Sequence, residues 1–362
     1  MVIAAGGTGG HFFPAEALAA ELVRRGHRVA LLTDTRSGGH QSEVFEGRER
    51  FVIKGAGIAG RGVARGARAV LSLAAGTLQA RKILVRLDAA ALVGFGGYPS
   101  VAPVLATRLL RRRPAVLLHE QNAVLGRANR ALSRFADLAL SFADTARVPQ
   151  RVRTTVTGNP VRPAIAALAG LPYAPPIGEI RLLVLGGSLG ARVFSDVVPA
   201  ALATLPPALR SRLRVTQQCR AEDISRTSAT YQAASIPADL APFFANVAEQ
   251  LATAHLVIAR AGASTVAELA VAGRPAILVP LPIAIDDHQT ANARALAEAG
   301  GAWLVPQPRF TQGELTLRLE RLFSDPALLC DAAAHAAAQG HAGAAVRLAD
   351  LVETAITRET AQ

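Results

Sequence analysis

The chain has 362 residues, enough for two domains that each bury a core of their own. Its formal net charge is +12 although only 18% of its residues are charged, so acids are scarce rather than bases abundant; the clustering of cations within residues 51–119 suggests either an anionic partner, such as a phospholipid surface, a lipid diphosphate or nucleic acid, or an ordinary solvated face. Two cysteines, Cys219 and Cys330, exclude a disulfide framework and a thiolate metal site and fit a reducing compartment. No charged and apolar leader opens the sequence and no apolar run reaches about 18 residues, so neither a signal peptide nor a membrane span is expected. Abundant Gly with few aromatics suits close helix-on-sheet packing in an α/β architecture.

In chain order, Val2–Ala5 reads as a strand that feeds the Gly-rich turn Gly6, Gly7, Thr8, Gly9, Gly10, closed by His11. Pro14 is placed as a first helical residue, the helix runs to Gly26, and His27–Thr33 supplies the next strand. The turn is not the dinucleotide fingerprint, because Phe12 stands where the last Gly would be. His11 adds a titratable group at the end of the turn. Between Phe51 and His119 the only acid is Asp88, against eleven Lys and Arg. Within this block, residues 57–87 hold Arg61, Arg65, Arg68, Arg81, Lys82 and Arg86 around Val70, Leu71, Leu73 and Leu78. Either an Arg-rimmed amphipathic helix rests here on anionic headgroups, or an ordinary core-facing stripe has a polar back; periodicity does not separate the two. A strand at Ala90–Val93 leads into a second Gly-rich loop, residues 94–100, with Gly96, Gly97 and Tyr98. The next strand, Ala115–Leu118, ends in His119, Glu120, Gln121 and Asn122. In open parallel sheets ligands bind at the carboxyl ends of the strands, so these loops are expected to line one site. His119 and Glu120 serve equally well as a satisfied structural pair.

Val152–Thr157 is a further strand, followed by Gly158, Asn159, Pro160, Val161, Arg162 and Pro163. The two prolines and the Pro-rich stretch 172–176 place a domain boundary at about 160, with Arg162 beside it able to reach a phosphate. The second domain then opens like the first, with a strand at Arg181–Leu185, a turn at Gly186, Gly187, Ser188, Leu189, Gly190 and a helix from about Ala191. Backbone N–H groups and the Ser188 hydroxyl would cradle a second phosphate. Residues 256–305 repeat the theme. Leu256–Ala259 is a strand, Gly262 breaks it, and Thr265 with Glu268 has capping-box spacing at the head of a helix that Gly273 and Pro275 end. A strand at Ala276–Val279 precedes Asp286, Asp287, His288 and Gln289. Residues 340–359 form a last amphipathic helix, with Ala345, Leu348, Val352 and Ile356 on one face.

The runs Gly262–Glu268 (G-A-S-T-V-A-E) and Asp286–Ala293 (D-D-H-Q-x-x-N-A), with G-G-T-G-G-H, G-G-Y, H-E-Q-N and G-N-P-V-R earlier, resemble the MurG family, bacterial transferases that add N-acetylglucosamine to lipid I. The resemblance spans essentially the whole chain. It implies an α/β fold of two Rossmann-like domains facing across a cleft, the glycosyltransferase B fold. Residues 1–160 would bind the acceptor and face the membrane, 161–340 would bind UDP-GlcNAc, and the helix at about 341–359 would pack back on the first domain. It assigns Thr8, Gly9, Gly10, Asn122, Arg162, Ser188, Phe244, Ala263, Ser264, Thr265, Val266, Ala267, Glu268 and Gln289 to the donor, and Gly7, Gly96, Gly97 and Tyr98 to the acceptor diphosphate. His11 is the expected general base, with Glu120 as a residue that could share the role. Arg61, Arg65, Arg68, Leu71, Arg81 and Lys82 would form a membrane patch. The family departs from this chain at Gln218, Cys219, Arg220, where relatives carry Q-T-G, and at Ala245, Asn246, where they carry an acidic pair.

The implied reaction is an inverting transfer to the muramyl 4-hydroxyl of lipid I, giving lipid II for peptidoglycan. The implied setting is peripheral, on the cytoplasmic face of the inner membrane, with other cell-wall synthesis proteins as further partners. No D-x-D pair is present to hold a metal, so no cofactor is expected. Two rivals remain. One is another UDP-sugar enzyme on the same fold, such as a UDP-GlcNAc 2-epimerase, which would have no use for the basic block. The other is a nucleic-acid binder, which the lack of aromatics in that block and of any recognition motif argues against.

Overall fold

The structure, a computed structural model, describes residues 1–6, 9–34, 42–53, 63–187 and 190–361, the side chains of 63–67 excepted. The chain divides into two compact units, Met1–Arg162 with Gly343–Gln362, and Pro163–Ala342.

Unit 1 begins with β1 (Val2–Ala4), α1 (Gly9–Arg24), β2 (Ala30–Thr33), β3 (Arg50–Val52), α2 (Val63–Arg86) and β4 (Ala91–Gly94). It continues with α3 (Gly97–Thr107), β5 (Ala115–Glu120), α4 (Arg127–Leu132), β6 (Asp137–Leu140) and β7 (Thr154–Val156). The strands form one sheet in the order β3-β2-β1-β4-β5-β6-β7, all parallel, with Ile3 of β1 opposite Leu31 on one side and Val93 on the other. Parallel sheets are covered on both faces, and alternation along β1 shows how. Ile3 packs with Leu18 of α1 and with Leu348 and Val352. Val2 and Ala4 point to the opposite layer, among Leu84, Ala102 and Val104.

Unit 2 carries α5 (Pro163–Ala166), β8 (Ile180–Leu185), α6 (Arg192–Ala203), α7 (Pro207–Arg210), β9 (Leu213–Gln218), α8 (Ile224–Ala233) and β10 (Ala238–Ala241). Then come α9 (Val247–Thr253), β11 (Leu256–Ala259), α10 (Ala263–Ala272), β12 (Ala276–Leu278), α11 (His288–Glu298), β13 (Ala302–Leu304), α12 (Gln312–Ser324) and α13 (Pro326–Ala338). Its sheet is again parallel, ordered β10-β9-β8-β11-β12-β13. The last helix, α14 (Ala344–Thr360), belongs to unit 1 and packs on α1, β4 and β5. Arg25 pairs with Asp350 and Glu353 at 2.7 Å, and Arg347 donates to the carbonyl of Thr157 at 3.0 Å.

Several expected boundaries move. α1 starts at Gly9, five residues before Pro14, so His11 lies in the first helical turn rather than in a loop. Glycine permits this start, since a Cβ at Gly9 would come within 2.9 Å of the Phe13 ring. The loop expected over 94–100 is shorter, because α3 already begins at Gly97. The capping box does not form: Gly262 is the N-cap of α10, and Thr265 falls inside its first turn. Among the described residues no helix is long and apolar enough to cross a membrane.

Candidate active site

In unit 1 the strand ends β1, β4 and β5 bring together His11, the Gly96–Gly97 turn and the His119–Asn122 segment. Gly96 and Gly97 have φ of +80° and +66°, a region L-residues rarely adopt. A Cβ on Gly96 would lie 3.6 Å from His11 Cε1, and one on Gly97 3.9 Å from its Nε2, so the imidazole lies against this turn. Tyr98, in the first turn of α3, is exposed. His11 Nδ1 is 3.0 Å from Gln121 Oε1. The amide nitrogen of Gln121 lies 3.1 Å from His119 Nδ1 and 3.2 Å from the carbonyls of Phe95 and His119. His119 Nε2 faces the carbonyl of Gly158 at 3.0 Å. Complete burial lowers the His119 pKa to about 4 despite that hydrogen bond, so the ring is neutral at physiological pH.

Glu120, the residue expected to share in base catalysis, ends β5. Its carboxylate is buried and accepts four hydrogen bonds, from the N–H and side-chain amide of Asn122 at 3.0 and 3.1 Å, and from Gly126 N–H and Asn129 Nδ2, both at 2.9 Å. These bonds tie residues 122–129 to the end of β5. Asn122 is thereby held by Glu120 on the same segment. Arg162 lies over the Phe13 ring, 4.9 Å from its centroid. Gly10 lies in the first turn of α1 beside His11; Gly7 and Thr8 lie outside the described residues. Asn159, in the G-N-P-V-R run, is buried with neither amide atom hydrogen-bonded.

In unit 2 two Gly turns precede helices. At the first, a Cβ on Gly186 would meet Ala191 N at 2.5 Å, and Gly187 and Gly190 have φ of +79° and +66°, so glycine is required along the turn. Gln218 fastens it, accepting from Gly186 N–H at 3.1 Å and donating to the carbonyls of Gly187 and Pro242 at 3.0 Å. Ser188 lies outside the described residues. The Arg220 stem packs against Gly190. At the second turn, α10 opens with Ala263, Ser264 and Thr265, whose N–H groups belong to the set a helix leaves to outside acceptors. Val266 and Glu268 are buried and Ala267 is half-buried on the following turn. Asn292, fully buried, donates to the carbonyl of Ala261 at 3.1 Å and fixes α11 against this turn. Gln289 accepts from Leu281 N–H at 3.0 Å, which leaves its amide nitrogen to donate. The loop it closes carries Asp286 and Asp287 with φ of 54° and 53°, strained for residues with a Cβ. Phe244 is buried, whereas its neighbour Phe243 is exposed.

Gln121, Asn129 and Asn292 escaped the sequence reading as site residues. Gln121 and Asn292 stand inside the quoted H-E-Q-N and D-D-H-Q-x-x-N-A runs, which was the available signal.

On α2, Leu71, Leu78 and Val85 recur every seven residues on one exposed face, flanked by exposed Arg68, Arg81, Lys82 and Arg86. Gly76, Thr77, Ala80, Ile83 and Leu84 form the inner face. Arg61 lies outside the described residues, as does the side chain of Arg65.

Two parallel Rossmann-like sheets, each with a Gly-rich turn from its first strand into a helix, define a glycosyltransferase of the B fold. Residues 1–141 match the glycosyltransferase family 28 N-terminal domain and residues 181–348 the family 28 C-terminal domain, so the chain belongs to glycosyltransferase family 28. It is 64% identical to the UDP-N-acetylglucosamine--N-acetylmuramyl-(pentapeptide) pyrophosphoryl-undecaprenol N-acetylglucosamine transferase of Granulibacter bethesdensis, over 98% of this chain and 94% of that protein. The protein of the same name from Gluconobacter oxydans is 56% identical over 98% of each chain. Among solved structures, Acinetobacter baumannii MurG superposes with a TM-score of 0.79 at 32% identity, covering 98% of this chain and 99% of that one.

Proposed function

We propose that the chain transfers N-acetylglucosamine from UDP-N-acetylglucosamine to the muramyl 4-hydroxyl of lipid I, with inversion, giving lipid II. The observation that carries this is the full-length likeness to transferases named for that reaction. In the step itself the hydroxyl oxygen bonds to the anomeric carbon, the bond from that carbon to the β-phosphate oxygen breaks, and UDP departs with the electron pair. His11 is proposed to take the hydroxyl proton, on the support of its place against the Gly96–Gly97 turn. The Gly186–Gly190 turn and Arg162 are proposed to take the diphosphate charge, and Gly262–Glu268 with Gln289 the uridine. Gly96, Gly97 and Tyr98 would face the acceptor diphosphate. With no D-x-D pair in the sequence, the reading needs no metal. The exposed apolar stripe of α2, edged by cations, supports a peripheral position on an anionic cytoplasmic membrane surface.

The test is UDP release from UDP-N-acetylglucosamine with and without a short-chain lipid I analogue. Acceptor-dependent release with a disaccharide product is expected; release independent of acceptor would instead favour an epimerase or a hydrolase. His11→Ala should lower kcat by about 10²- to 10⁴-fold with UDP binding intact. Turnover near that of the wild type would remove His11 as the base.

A further inference from the structure

Gln121 has no charge and no proton to exchange, yet it stands between two histidines, and the direction of each hydrogen bond in that row is decided by groups of fixed polarity. A backbone carbonyl can only accept. The carbonyls of Phe95 and His119 both lie 3.2 Å from one end of the Gln121 amide, so that end is the NH₂ group. The other end, 3.0 Å from His11 Nδ1, is therefore the amide oxygen, which also can only accept. Hence His11 Nδ1 carries a hydrogen. A neutral imidazole has one N–H, so Nε2, the nitrogen nearest the Gly97 turn, holds the lone pair. The far end of the row agrees. His119 Nε2 must donate to the carbonyl of Gly158 at 3.0 Å, which makes its Nδ1 an acceptor for the Gln121 NH₂ at 3.1 Å. Both His119 and Gln121 are buried, so water does not compete for these groups.

We propose that Gln121 is a positioning residue for the transfer: with His119 it forms a one-way hydrogen-bond row, anchored on the Gly158 carbonyl, that locks His11 in the Nδ1–H tautomer and presents Nε2 as the proton acceptor. The proposal rests on the reading of His11 as the base. A neutral partner in this place orients the ring without adding charge that would hold the proton once it arrives. The charged or titratable groups around the ring leave that arrangement intact. His119 is kept neutral by burial, the Glu120 carboxylate is turned to Asn122, Gly126 and Asn129, and Arg162 is stacked on Phe13.

The experiment uses the full chain with ¹⁵N-labelled histidine, in which nitrogen chemical shifts report which ring atom bears the proton and His11→Ala assigns the signal. The wild type should show Nδ1–H and an unprotonated Nε2 for His11 above its pKa. Gln121→Met removes the acceptor; it should mix the tautomers and lower kcat about 10- to 100-fold, with KM for UDP-N-acetylglucosamine within about threefold. Gln121→Glu keeps an acceptor and adds a charge. Its kcat should recover at high pH, while the acid limb of its pH–rate profile moves up by about one unit or more. A proton on Nε2 in the wild type, or wild-type kcat and pH profile in both variants, would overturn the proposal. Should Gln121→Met fail to fold, the wild-type tautomer and the Gln121→Glu profile still decide it. Wild-type turnover in His11→Ala would remove the base reading, an outcome separate from the tautomer signal.

Discussion

A carboxylate that accepts four hydrogen bonds and an imidazole that accepts almost no water are both held for what they organise. Glu120 ties Asn122, Gly126 and Asn129 to the end of β5, and His119 anchors the strand to Gly158. Burial holds the His119 pKa at about 4, below the ~6.5 of an exposed histidine. Between those values the unfolded chain binds the proton that the folded one refuses. The stabilisation from a neutral His119 is thus complete above pH ~6.5 and is lost as pH falls toward about 4, by on the order of 3 kcal/mol. His119→Gln should flatten the fall in stability between neutral pH and the lower limit, measured by denaturation at matched pH values. An unchanged slope would mean that other groups set it. At this scale the sequence displayed the residue types but not their duties. The motif picks out His11 and the Gly96–Gly97 turn, and they do come together. That Glu120 is bonded by Gly126 and Asn129 is something no local pattern within H-E-Q-N reveals.

At the scale of elements, a Gly-rich turn followed by apolar periodicity was enough to place helices after β1, β8 and β11. The boundaries were less legible. Pro14 suggested a helix start, yet the glycines before it let α1 begin at Gly9, and Gly262 took the N-cap that Thr265 was expected to fill. Spacing records which residues share a face, whereas the start of a helix depends on how close the backbone passes to its neighbours, as Gly9 does to Phe13. α2 shows the complementary limit. Its periodicity did not say which apolar residues meet the core, and the helix divides them: Ile83 and Leu84 turn in, Leu71, Leu78 and Val85 turn out and are exposed. Replacing Arg68, Arg81 and Lys82 together by Glu should weaken binding to anionic vesicles by about 100-fold or more, at roughly 1 kcal/mol for each cation near the surface. The loss should shrink as salt is added, and UDP binding should not change. Vesicle affinity equal to the wild type would sink the membrane reading of this helix.

For the whole molecule, two parallel sheets with cores of their own were legible from the repeated order of strand, Gly turn and helix. The repeat alone does not disclose that the layer covering β4 and β5 includes a helix from the far end of the sequence; that expectation comes from the family resemblance. Leu348 and Val352 of α14 are fully buried beside Ile3 and Leu18. Leu348→Ala should cost unit 1 about 2–5 kcal/mol. Amide exchange should speed up in β1, β4 and β5 and stay unchanged in β8 and β11; uniform acceleration in both units would mean that they unfold together.

The same packing sets an order of events during synthesis. A ribosome completes residues 1–162 first, yet the face of the sheet that α14 covers stays open until residues 343–360 have emerged. Unit 2 is continuous in the chain and has every strand in hand before then. The half made second is therefore free to fold first, and the nascent first half must wait with apolar surface uncovered, the stretch of its life in which a chaperone has most to offer.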